Sequence, residues 1–171
     1  LWNTTFDTGD HDEAGGIAVD LSGNIFVTGF RFLDEDFLTV KYDSSGTQLW
    51  NRTYANPGTA EAYSVATDSA GNAYVSGQVP GTNYYTIKYD PSGTELLNLT
   101  FNGGLNDEAK AVTVDSFDGV YVTGFTFDGI TAKYHTIAYS DINHVSITVQ
   151  NNNVTFNATA QDTGLPLTFR W

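Results

Sequence analysis

Cysteine and methionine are both missing from the 171 residues, proline occurs four times, and seven Lys plus Arg face 20 Asp plus Glu. Without cysteine there are no disulfides, no iron–sulfur clusters and no thiolate zinc sites, although this does not fix the compartment. The shortage of basic residues leaves a formal charge of −13. That argues against nucleic acid and anionic lipid as partners, because both require a cationic footprint. Divalent cations or basic surfaces suit the charge better, and acidic loops on a β protein also serve plain solubility. No apolar run reaches the about 18 residues of a spanning helix, so no membrane insertion is expected. Catalytic signatures are lacking too: there is no G-x-S-x-G elbow, no H-E-x-x-H pair and no Gly-rich phosphate loop ahead of a helix. His11, His135 and His144 occupy unlike positions. A glycosidase needs two carboxylates across a cleft, and the sequence singles out no such pair. The expectation is therefore no enzyme and no cofactor.

What the sequence does contain is one stretch written three times. Ile17 to Gly29 reads I-A-V-D-L-S-G-N-I-F-V-T-G, Val65 to Gly77 reads V-A-T-D-S-A-G-N-A-Y-V-S-G, and Val112 to Gly124 reads V-T-V-D-S-F-D-G-V-Y-V-T-G. Thr39-Val40-Lys41-Tyr42-Asp43 recurs as Thr86-Ile87-Lys88-Tyr89-Asp90 and loosely as Thr136-Ile137-Ala138-Tyr139-Ser140. Glu13, Glu61 and Glu108 give steps of 48 and 47 residues. The segments inside each step alternate with period 2, as strands do, and no helical period survives the Gly and Asn turns. In the first cycle strands are expected over Gly16 to Asp20, Ile25 to Phe30, Phe37 to Tyr42 and Leu49 to Tyr54, and both faces are apolar. A sheet wet on one face would alternate apolar with polar, so each unit is expected to lie between two others. Self-similarity at about 40 to 50 residues with strand-like segments marks propeller blades, which gain their stability by stacking.

The fold expected is all-β: a partial β-propeller of four-stranded antiparallel blades over residues 1–140, with units at about 13–54, 61–101 and 108–139. Leu1 to Phe6, L-W-N-T-T-F, matches the fourth-strand segments L-W-N-R-T-Y and L-L-N-L-T-F, and reads as the outer strand of a preceding or closing blade. Trp2, Trp50 and Leu97 then occupy equivalent sites, packed between blades. No such segment follows Tyr139. Propellers close with about four to eight blades. The stretch is read as part of a longer polypeptide, with missing repeats upstream of Leu1 favoured over exchange of the terminal strands. From Asp141 the composition shifts to two further alternating runs, Val145 to Val149 and Val154 to Ala160, then a polar loop and a last strand at Leu167 to Trp171.

The unit D-E-A … I-A-V-D-x-S-G-N-I-[FY]-V-T-G … T-V-K-Y-D-x-S-G … W resembles the bacterial and archaeal SBBP β-propeller repeat over about residues 1–140. It departs from that pattern at Asp118-Gly119, at Ala138 in place of Lys, and at Ala60-Glu61-Ala62. The resemblance implies a secreted or cell-surface propeller, commonly one module of a long multidomain protein, and implies no reaction. Val154 to Trp171 resembles the front half of a PKD-type, immunoglobulin-like domain. This implies a β-sandwich segment over 141–171, with Trp171 in its core.

Five N-glycosylation sequons begin at Asn3, Asn51, Asn98, Asn153 and Asn157. The first three share one repeat position, on the strand expected to be outermost. Glu13, Glu61 and Glu108 recur ahead of the first strand, and with Asp10, Asp12 and Asp107 they are candidates for Ca²⁺. Because no D-x-D-x-D-G spacing occurs, they are expected instead to brace neighbouring blades by accepting backbone N–H bonds. Asp20, Asp68 and Asp115 sit where an Asx bond to the turn backbone accounts for them, and Asp34, Glu35 and Asp36 are expected to be solvated. The ten Tyr and 11 Phe are expected mainly between blades. The function expected is a non-catalytic structural or adhesive module of a secreted or cell-surface protein, with other copies or domains of the same assembly as partners and carbohydrate as a further candidate. The alternatives are a subunit of an extracellular filament or surface layer, a carbohydrate-binding propeller, and a propeller glycoside hydrolase.

Overall fold

The computed structural model describes residues 1–9, 11–31, 36–55, 58, 60–81 and 83–127 with their side chains, and the backbone of 132–139, 145–150 and 153–158. Its strands are β1 (Asp12–Val19), β2 (Ile25–Arg31), β3 (Asp36–Tyr42), β4 (Gln48–Tyr54), β5 (Glu61–Thr67), β6 (Ala73–Val79), β7 (Asn83–Tyr89), β8 (Glu95–Phe101), β9 (Asn106–Val114), β10 (Val120–Phe127), β11 (Ala132–Tyr139), β12 (Val145–Gln150) and β13 (Asn153–Ala158). No helix occurs among the described residues. The chain is all-β, with strands pairing antiparallel in the order they occur. A first sheet runs β1-β2-β3-β4 and a second β5-β6-β7-β8; a third has β9-β10-β11, and β12 pairs with β13 alone.

The first strands of the first and third sheets begin earlier than the apolar pattern suggests. β1 starts at Asp12 and β9 at Asn106, so the D-E-A segment lies inside the strand. A bulge makes this possible: the register slips between Ala14 and Gly16, between Ala62 and Ser64, and again opposite Gly124. The slip pushes the Glu carbonyl against the partner strand. A Cβ on Gly29 or Gly77 would stand 1.9 Å from the carbonyl oxygen of Glu13 or Glu61, which is why the T-G and S-G positions carry no side chain.

The turns follow the sequence closely. Gly23 and Gly71 take φ of 80° and 79°, and at the same place in the third repeat Asp118 takes 62°. Aspartate tolerates this left-handed region better than most residues, so the substitution is accommodated.

The sheets stack through both faces. Phe26, Phe37 and Trp50 of the first sheet pack against Val75, Tyr85, Ile87 and Tyr89 of the second. On its far face the second sheet offers Tyr74 and Tyr84 to Val112, Val120 and Val122 of the third. The far face of the first sheet, with Leu38, Val40 and Tyr42, is partly covered by the opening segment, through Phe6 and Trp2. Leu1 to Phe6 therefore sits where a neighbouring outer strand would, but it holds no ladder, because no described strand lies beside it to bond.

Two further expectations change. Asp36 is not solvated: it opens β3, is buried, and bonds Arg31 Nη2 at 2.7 Å. The Asn151-Asn152-Asn153 stretch between the two last alternating runs reads as a turn, yet Asn153 pairs with Gln150 at the start of β13. Asp10, Asp34, Glu35, His144, the domain boundary expected near Ser140 to Asn143, and the side chain of Trp171 lie outside the described residues.

Candidate functional site

The rim of the stack is formed by β4 and β8, each at the outer edge of its sheet. Alternation sets the side chains: in β4, Trp50 turns inward and is buried, whereas Asn51 and Thr53 are exposed. Asn98 and Thr100 on β8 are exposed in the same way, as are Asn3 and Thr5. Three sequons thus stand at one repeat position with both recognition side chains in water. The Asn98 amide donates to Glu95 Oε1 at 2.8 Å. Asn153 and Asn157 fall on β13, and the Thr159 of the last sequon lies outside the described residues.

The inner strands β1, β5 and β9 carry the three glutamates, and here the bulge decides what the site contains. Its extra residue is Gly15 in β1, Tyr63 in β5 and Lys110 in β9, and a bulge re-aims the side chain it carries. The Tyr63 hydroxyl donates to Glu61, which also accepts from Gln78 Nε2 at 3.0 Å. Lys110 forms an ion pair with Glu108 and lies 3.9 Å from the Tyr63 ring centroid. At Glu61 and Glu108 the partners are side chains and not the expected backbone N–H groups: the bulge residues Tyr63 and Lys110 reach them, and Glu61 also takes Gln78 across the strand pair. Burial, then the Glu61 hydrogen bond and the charges of Glu61, Glu108 and Glu13, push the Tyr63 phenol well above its ordinary range. It stays protonated and serves as a donor, not as a base or nucleophile.

Asp12 accepts from Thr8 N and Thr8 Oγ1 at 2.9 and 2.7 Å, and Asp107 accepts from Gly103 N. Both tie down the loop before their strand. Among the described residues no three His, Asp or Glu side chains converge to hold a metal ion.

The junction aspartates do what the turn chemistry requires. Asp20 Oδ1 accepts the N–H groups of Ser22 and Asn24, both at 2.9 Å, and Asp68 and Asp115 repeat the pattern with Ala70 and Asn72 and with Phe117 and Gly119. Sequence reasoning missed the cation that completes this motif. Lys41 Nζ lies 3.8 Å from Asp20 Oδ2, and Lys88 Nζ lies 3.8 Å from Asp68 Oδ2, with all four side chains buried. Lys41 also lies over the Phe26 ring and donates to Pro91 O of the second sheet at 3.0 Å. The available signal was a lysine recurring at a fixed place in strands that are otherwise apolar on both faces.

These features define an all-β chain of stacked antiparallel sheets, with three sequons on its outer edges and carboxylates that mostly tie turns, loops and strands. Residues 7–29 match the profile of the SBBP family, described as a β-propeller repeat. The matched span takes in β1, the Asp20 turn and β2 as far as Gly29. No curated protein matches the chain.

Proposed function

We propose that this chain is a non-catalytic structural or adhesive module of a secreted or cell-surface protein, with N-linked sugar on its rim. In this reading the three sheets are consecutive propeller blades, and residues from 141 onward open a PKD-type, immunoglobulin-like domain. The observation that carries the proposal is the placement of Asn3, Asn51 and Asn98 with their Thr5, Thr53 and Thr100, all exposed at one repeat position. A bulky polar modification there serves an evident need. β4 and β8 present unpaired backbone groups along their outer edges, and a sugar blocks the edge-to-edge pairing that such strands invite. The non-catalytic part draws support from Asp20, Asp68 and Asp115, which already accept turn amides, and from Glu61 and Glu108, which are held by Tyr63, Gln78 and Lys110.

The test is glycopeptide mapping on protein from its native source. Hexose-type additions at Asn3, Asn51 or Asn98 are the expected outcome. Unmodified peptides at all the sequons would overturn the glycosylated rim and remove the main support for an extracellular setting.

A further inference from the structure

The sequon on β8 opens onto a groove between two sheets. Residues opposite one another in neighbouring strands share a face of their sheet. Asn98 lies opposite Ile87, and Glu95 opposite Tyr89; Ile87 and Tyr89 belong to the face that packs on the first sheet. Asn98 is therefore directed toward the first sheet, at the outer edge, where it is exposed. An open groove of about 370 Å³ runs there, with Arg52 and Tyr54 of β4 on one wall and Thr94 and Glu95 on the other. Both walls are held. Arg52 Nε donates to Gly93 O at 2.6 Å and Nη2 to Ser92 O at 3.3 Å, while the half-buried Tyr54 ring lies 4.8 Å from that of Tyr85. With a third bond to Asn51 O, Arg52 engages three of its five N–H groups among the described residues. Glu95 accepts the Asn98 amide through Oε1. Guanidinium donors, a carboxylate, a hydroxyl and an aromatic ring with an apolar body are the mixture that a hydroxyl-rich ring requires.

We propose that the N-linked sugar on Asn98 lies in this groove, against the fourth strand of the neighbouring sheet, and so ties β8 to β4. The inference rests on the glycosylated rim proposed above. Attachment joins Asn98 Nδ2 to the anomeric carbon of a sugar delivered from a lipid-phosphate donor, and one amide proton leaves with the donor's phosphate. The amide keeps its other N–H, which continues to donate to Glu95 Oε1 and holds the linkage at the groove wall. The sugar then meets the remaining guanidinium N–H groups and the Thr94 hydroxyl, with the Tyr54 ring beside it. Asn51 has no equivalent seat. Gln48 takes the register place of Glu95, and Thr4 and Phe6 stand at the repeat positions of Arg52 and Tyr54, so neither the carboxylate nor the guanidinium is present.

Hydrogen–deuterium exchange on the protein from its native source, compared with Thr100→Val made in the same host, tests the seat. Thr100 is exposed, so the valine removes the sequon and leaves β8, Asn98 and Glu95 in place. Peptides spanning Arg52 to Tyr54, on the other sheet, should exchange about tenfold faster in Thr100→Val, the scale of one hydrogen bond from a charged donor. The thermal midpoint should fall by about 2 to 4 °C. In an Arg52→Ala background the difference in exchange should shrink. In protein made by a host without the glycosyl transferase, parent and Thr100→Val should exchange alike; a difference there as large as in the native host would assign the effect to the hydroxyl and overturn the inference. Glycopeptide mapping separates the remaining outcomes. A modified Asn98 with β4 exchange unchanged by Thr100→Val would overturn this seat alone, as would a bare Asn98 beside a modified Asn3 or Asn51. Bare peptides at every sequon would overturn both the seat and the glycosylated rim.

Discussion

Replacing Trp50 by alanine tests whether the stack is held by the residues described. The indole is 8% exposed and touches both sheets. Its ring centroid lies 5.8 Å from Phe26 in an edge-on arrangement and 6.0 Å from Tyr89 of the second sheet. Gly93 passes beneath it so closely that a Cβ there would come within 2.8 Å of the ring. Each aromatic pair contributes about 0.5 to 1.5 kcal/mol beyond burial, and the bond to Pro91 about 1 kcal/mol. Removal leaves no orphan acceptor, because Lys41 still donates to the same carbonyl, so the penalty for an unsatisfied group is avoided. The remaining loss is dominated by transfer and cavity terms, which gives about 3 to 5 kcal/mol for Trp50→Ala. Trp50→Phe keeps a ring and loses the hydrogen bond, and should cost less. Urea unfolding of the full chain, followed by tyrosine fluorescence and circular dichroism, measures both. A Trp50→Ala loss within about 0.5 kcal/mol would refute the packing argument, since that is the range of unconstrained surface changes. Trp2→Ala, with its ring 41% exposed, is the internal comparison and should fall well below Trp50→Ala.

Gly77→Ala should destabilise by about 3 kcal/mol or more, since the new methyl meets the Glu61 carbonyl at 1.9 Å and the bulge must open; Gly9→Ala, with open space around it, should cost about 1 kcal/mol through its φ alone. Thermal midpoints of the two variants check this, and equal midpoints would contradict the bulge account. Stability should also fall in acid. Hydrogen bonds from the Ser45 and Ser92 hydroxyls, then from the Thr47 and Thr94 amides, hold Asp43 and Asp90 below the ordinary carboxylate value of 3.8. A depressed folded value means the unfolded chain takes up protons first as the pH drops. The stabilisation is complete above about pH 4 and is lost as the pH falls through the folded values. Midpoints measured from pH 7 to pH 2 should show that loss, with the acid limb shallower in Ser45→Ala with Ser92→Ala. Midpoints flat to pH 2 in the parent would refute it.

Much of the architecture was legible because two periods coincide in the sequence, one of two residues and one of 47 or 48. The first sets strands and faces; the second sets equivalent positions, and together they place Trp50 between sheets. What stayed hidden depends on a register slip. A bulge leaves no mark in the apolar pattern, and only the T-G and S-G positions hint that a carbonyl approaches there. The glutamates were accordingly seen as recurring, but their partners were not, because Tyr63 and Lys110 reach them only through the extra residue. Asp36 was misjudged for a related reason: it is acidic and sits next to two other acids, yet Arg31 faces it across a strand pair. Asn51 and Asn98 fall on the water-facing side of edge strands, as alternation predicts, because alternation alone decides which of Trp50 and Asn51 meets water.

The buried lysines connect this pattern to assembly. A buried ion pair is weak evidence for stability, because desolvation offsets much of the attraction. Its value here is better understood from where the carboxylates end up. Asp20 and Asp68 are 7% and 4% exposed, and a Cβ on Gly71 of the second sheet would lie 3.6 Å from Asp20 Oδ2. The neighbouring sheet is thus what excludes water from Asp20. Burying that charge alone would cost far more than the contact returns, so a cation must be in place, and Lys41 supplies it while bonding the neighbour's Pro91. In the third repeat the register partner of Tyr121 is Ala138, and Asp115 is exposed; among the described residues its partners are the Tyr121 hydroxyl and the turn amides. The sequence therefore carries a counter-charge at each junction that is closed within the chain and omits it at the face left in water. A sheet docking there must bury Asp115 without an ammonium, which makes that junction the weakest in any larger stack and the one whose strength a single lysine should change.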